Sequence, residues 1–129
     1  MKFKTTAIIT AIVSFLLGAG YLVFGEVVIG RWQIPISDSV LLMGRRIGAL
    51  YLGLSLIYFL ARSAPVSVAR TALSAGTALA LSILVLLGIY ELTAGRVGAG
   101  ILSSVAIEAL LAFAYIRILF EDRKQVVGG

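Results

Sequence analysis

The run Ile83-Leu84-Val85-Leu86-Leu87 decides the fold, because it is apolar on every side. A transmembrane strand alternates apolar and polar residues over segments of about ten residues. An unbroken apolar run instead suits a helix surrounded by hydrocarbon. Read outward, the stretch extends from about Val68 to Leu92, and an α-helix needs roughly 20 residues to cross a bilayer. Three more stretches reach that length, and together they predict spans over about 5–25, 39–61, 68–92 and 98–120. The expected object is all-α, an integral-membrane four-helix bundle with antiparallel up-down spans forming a single transmembrane domain. A short polar cytoplasmic tail, 121–129, is expected to fray.

Composition agrees. Of 129 residues, 60% are apolar and 13% are charged, against about 45–50% and about 25% in soluble domains. So small a chain cannot hide that excess within a water-soluble body. The absence of cysteine and histidine excludes disulfides, thiolate chemistry, haem ligation and the commonest zinc sites. No metal or other cofactor is expected. No second carboxylate shares the spacing of Glu108 and no nucleophile–base set occurs, so an enzyme is not expected.

The connections fit four spans. Arg31 to Ser39 is the one long polar break, where Pro35 discourages helix and Asp38 or Ser39 can cap the second span. Arg62-Ser63-Ala64-Pro65 ends that span, and Ser67 can cap the third. The glycine turn Thr93 to Gly98 makes the third and fourth spans antiparallel neighbours. Lys2 and Lys4, an apolar run and Gly18-Ala19-Gly20 have the outline of a secretory signal. Apolar residues continue past that point through Phe24, so the segment is read as an uncleaved first helix.

With the N-terminus in the cytoplasm, seven bases lie inside (Lys2, Lys4, Arg62, Arg70, Arg117, Arg123, Lys124) and four outside. The positive-inside rule then places both termini in the cytoplasm of a bacterial-type inner membrane. The excess charge reads as attraction to anionic membrane lipid, not as a nucleic-acid surface.

Glu108 is the sharpest anomaly, ten residues into the fourth span. A charge at that depth costs at least about 2.5–3.5 kcal/mol. Helical spacing puts it in line with Gly100, Ser104 and Ala112, a small-residue face suited to packing against other helices. Arg45 and Arg46 lie inside the second span and, being about 100° apart, cannot point the same way. One can snorkel while the other turns inward. An outer-leaflet cluster of Arg45, Arg46, Glu91 and Glu108 is therefore expected, as an ion-pair network or as a site for a polar head group. Gly44 and Gly48 form a GxxxG, and Ala72, Gly76 and Ala80 repeat at four-residue spacing; packing within one chain is the expected use of both. The tyrosines are expected mainly at the interfaces, with Trp32 an anchor or a candidate cavity lid.

Gly44-Arg45-Arg46-Ile47-Gly48-Ala49-Leu50-Tyr51-Leu52-Gly53-Leu54 resembles the arginine-then-glycine helix start of small four-span bacterial proteins of the DoxX-like kind. The resemblance implies a four-span fold and, because some such proteins are linked to redox or quinone-associated complexes, an accessory place beside them. Arg45 or Arg46 is the matching arginine. Small multidrug-type exporters are similar in size and carry an intramembrane glutamate, but in the first span. Fluoride-channel proteins share the length, yet this chain has no asparagine to match their signature.

The function expected from these features is binding or accessory: a bundle holding an apolar, lipid- or quinone-like ligand or joining a larger membrane protein. A proton-coupled transporter, with Glu108 as carrier carboxylate in a homodimer, is the second expectation. A structural subunit whose charges only set helix register is the third.

Overall fold

The computed structural model describes residues 2–128. Five helices form in chain order: α1 (Phe3–Val23), α2 (Gly25–Gly30), α3 (Asp38–Ala61), α4 (Val68–Thr93) and α5 (Ile101–Gly128). All but α2 are long and apolar enough to cross a membrane. They pack as two antiparallel pairs, α1 with α3 and α4 with α5. The 62–67 turn and both ends of the chain share one face, called here the terminal face; the opposite one is the far face.

Local sequence sets the boundaries. Ser37, not Asp38 or Ser39, caps α3: its hydroxyl accepts from the Val40 amide at 3.3 Å, which puts Asp38 in the first turn. Ser67 caps α4 as expected, accepting from the Arg70 amide at 3.2 Å. The first apolar run breaks at Phe24 and resumes as α2, so residues 24 and 25 are not part of one continuous span. The tail does not fray within the described residues. Helix α5 runs on to Gly128 because Asp122, 4% exposed, turns inward and accepts from Arg70 of α4 at 2.7 Å.

Glycine sets the pair distances. A methyl group on Gly48 would lie 2.9 Å from the Gly18 carbonyl oxygen and 2.9 Å from Tyr21 Cβ, so α1 and α3 approach backbone to backbone there. Gly44 meets Ile29 and Tyr21 in the same seam. Gly88 does the equivalent between α4 and α5, against Val105. Gly76 has no neighbour within 4 Å, and Ala72 and Ala80 beside it are exposed, so this stripe faces away from the chain's own bundle.

The two pairs meet over a core near the terminal face built from Phe3, Ala7, Ala11, Tyr58, Ala78, Tyr115 and Ile118. Tyr58 and Tyr115 are wholly buried, with ring centroids 5.6 Å apart, and are not the interfacial aromatics their sequence positions suggest. Burial in an apolar medium requires partners for their hydroxyls. The Thr10 hydroxyl donates to the Thr6 carbonyl at 2.8 Å and so accepts from Tyr115 at 2.7 Å. Tyr58 bonds Thr77 Oγ1 and the Leu73 carbonyl.

Candidate functional site

Above this tyrosine layer, toward the far face, the two helix pairs diverge around a cavity of about 120 Å³. Glu108 faces it from α5, two helical turns below Ile101, with Ser104 one turn above. Tyr21 of α1, Tyr51 of α3 and Trp32 form the aromatic wall. The Tyr21 and Tyr51 rings are parallel with centroids 6.3 Å apart, and Trp32 meets Tyr21 edge-on at 6.4 Å. Thr10, Ser14 and Thr77 supply hydroxyls to the lining, and Thr10 and Thr77 bond the two core tyrosines that close it toward the terminal face.

Trp32 covers the far-face end and separates this cavity from a second of about 340 Å³ lined by Ile29, Ile34, Met43 and Gly44. Its position is fixed by backbone. The Gly98 amide donates to the Trp32 carbonyl at 2.8 Å, and the 93–100 turn thereby docks on the 31–37 connection. Gln33 adopts φ +56°, a left-handed turn that redirects the chain under Pro35. Gly98 lies against the flexible end of the Gln33 side chain, and Gly100 lies against the Arg31 carbonyl, where the backbone leaves no room for a side chain.

The expected four-residue cluster does not assemble. Of Arg45, Arg46, Glu91 and Glu108, only Glu108 faces the cavity. Gly44 and Gly48 occupy the buried edge of α3, so the intervening Arg45 and Arg46 point outward and are exposed. Arg45 borders a shallow cleft near Glu26. Glu91 is taken by Arg96, which folds back across the 93–98 turn and donates to both carboxylate oxygens, at 2.5 and 3.1 Å. That carboxylate holds the Arg96 guanidinium above its ordinary range. Glu108 forms no hydrogen bond or ion pair among the described residues. Trp32 and Ser104 share its cavity, whereas Gly100 serves the loop contact and Gly76 faces outward.

Tyr21, Tyr51, Thr10, Ser14 and Thr77 are site residues that the sequence reading passed over. A signal existed on α1: Thr6, Thr10 and Ser14 at four-residue spacing, continued by Gly18 and Tyr21, mark one small and polar helix face. No group of acidic side chains among the described residues can hold a metal ion.

Fold and site together define a small four-span helical membrane protein with a half-buried carboxylate, Glu108, that is unpaired among the described residues. Comparison with protein-family models, with curated proteins and with solved structures finds no match. No family match supports the DoxX-like resemblance of residues 44–54.

Proposed function

We propose that this chain is a membrane binding protein whose cavity takes a compact organic cation, an alkyl- or arylammonium. The observation that carries the reading is Glu108: a carboxylate without a cationic partner, in a cavity walled by Tyr21, Trp32 and Tyr51. A carboxylate supplies a charge-assisted bond to an ammonium, and desolvated aromatic faces add about 2 kcal/mol of cation–π attraction. The volume favours a ligand of few heavy atoms, since cavities of about 150 Å³ take up benzene. A quinone with an isoprenoid tail, or a diacyl lipid, exceeds it. Both termini are proposed to be cytoplasmic, on the distribution of basic residues. The role is proposed to be non-catalytic.

Calorimetry with tetramethylammonium, and with neutral tert-butanol of the same size as control, tests this on detergent-solubilised protein. A bond to a charged group is worth about 1.5–3 kcal/mol, so Glu108→Gln should weaken ammonium binding about tenfold to a hundredfold. Only the carboxylate binds, so affinity should fall as pH is lowered through its titration. Equal binding of tert-butanol, or undiminished binding to Glu108→Gln, overturns the proposal.

A second reading, proton-coupled transport with Glu108 as carrier, is favoured by the same lack of a fixed partner. One carboxylate can hold a proton or an ammonium in turn. Ammonium-driven proton release from liposomes containing the protein, abolished by Glu108→Gln, would distinguish transport from binding.

A further inference from the structure

A groove of about 590 Å³ runs along the outside of the α1–α3 seam. Its walls are Ile8, Ile12 and Phe15 of α1 and Leu52, Leu56 and Phe59 of α3. Its floor is made by two small residues, Ala11 and Ser55, and the Ser55 hydroxyl is turned away into a 2.7 Å bond to the Ala11 carbonyl. The groove is therefore apolar throughout. Residues 8–15 and 52–59 each cover about 10.5 Å of helix, which lies in the leaflet of the terminal face.

The terminal-face end of this groove is bracketed by two cations. Lys4 stands one helical turn before Ile8, on the same side of α1. Arg62 stands three residues after Phe59 and lies 4.1 Å from the centroid of its ring. Both also border a polar cleft of about 600 Å³ that includes Lys2. The acids of that cleft are already engaged: Asp122 accepts from Arg70, and Glu121 from Arg117 at 3.2 Å. Lys2, Lys4 and Arg62 form no ion pair among the described residues.

An apolar channel that opens between unneutralised cations at headgroup depth has the chemistry of one ligand class. We propose that the α1–α3 groove holds an anionic phospholipid of the terminal-face leaflet. The upper part of an acyl chain lies between Ile8 and Phe59, and the phosphate sits between Lys4 and Arg62. The site is distinct from the Glu108 cavity, with which it shares no lining residue.

The test is native mass spectrometry of the full chain from nanodiscs holding equal phosphatidylglycerol and phosphatidylcholine, during stepwise delipidation. The wild type should retain one phosphatidylglycerol after the remaining lipid is stripped. Basic side chains near a charged surface contribute about fivefold each, so Lys4→Gln with Arg62→Gln should lower its retention about 25-fold toward that of phosphatidylcholine. Arg123→Gln with Lys124→Gln removes as much charge from exposed positions away from the groove and should leave retention unchanged. Leu56→Trp, which fills the groove, should lower retention of both lipids. Circular dichroism confirms that each variant keeps its helices. Equal retention of the two lipids, no retained lipid, or equal losses in the two charge pairs each overturns the proposal; the last would mean diffuse attraction without a site.

Discussion

Removing the Asp122 carboxylate should destabilise the bundle, and removing Arg70 with it should restore part of the loss. Arg70 Nη2 lies 2.7 Å from Asp122 Oδ1, with side-chain exposures of 16% and 6%. Breaking a buried pair from one side costs about 3–5 kcal/mol, because it strands the other charge. In Asp122→Ala the stranded guanidinium keeps a 3.1 Å bond to the Ala64 carbonyl and a place 4.4 Å from the Phe3 ring centroid. That puts the cost at the lower end, about 3 kcal/mol. In Arg70→Ala the stranded group is a carboxylate already lacking a partner for Oδ2, and the cost rises to about 4 kcal/mol. The double variant strands nothing and loses mainly packing, about 2 kcal/mol and less than either single, so the coupling energy in favour of the pair should be about 5 kcal/mol. Reversible unfolding in mixed micelles, followed by circular dichroism, measures all three. Single effects that simply add, or either within 0.5 kcal/mol of zero, would refute the reasoning.

Gly48→Ala should cost about 2 kcal/mol in the same assay, since its methyl would press on the Gly18 carbonyl and on Tyr21. Gly76→Ala should be neutral or gain up to about 1 kcal/mol, having open space and better helix propensity; a loss there would mean that the stripe meets something outside the chain. Tyr115→Phe should cost about 1 kcal/mol, because Thr10 keeps its bond to the Thr6 carbonyl when the 2.7 Å contact is lost. A loss above about 3 kcal/mol would show that the tyrosine layer acts as a unit.

The spans were legible because hydrocarbon leaves only one way to satisfy the backbone, and a helix of about 20 residues leaves a plain mark in composition. Ser67 was legible because capping is local. The partner of each charge was not. Arg96 reaches Glu91 only because the 93–98 turn reverses the chain, and Asp122 faces inward only because α5 outlasts the membrane. Depth alone put Glu108 and the two arginines at comparable levels. Their azimuths on different helices decide whether they meet, and those follow from where Gly18, Gly44 and Gly48 let α3 lie against α1. The tyrosines misled for a related reason: Tyr58 and Tyr115 sit near span ends, yet the hydroxyls of Thr10 and Thr77 on other helices make burial tolerable.

The environments of the five other acids set Glu108 apart. Asp122, Glu91 and Glu121 are each bonded to an arginine near a helix end, where water or headgroups share the cost. Glu26 and Asp38 are exposed at the far face. A carboxylate meant only to fix helix register would be expected to face a cation on a neighbouring helix, as Asp122 does. Glu108 is half-buried and faces hydroxyls and aromatic rings; a charge at such a depth costs about 2.5–3.5 kcal/mol, and no ion pair among the described residues offsets it. On the proposed reading, that cost is the stability given up for the bound ammonium. Glu108→Leu should therefore raise the unfolding free energy by about 1–3 kcal/mol while ammonium binding is lost. A fall in stability would place Glu108 among the structural charges and remove the argument for a ligand.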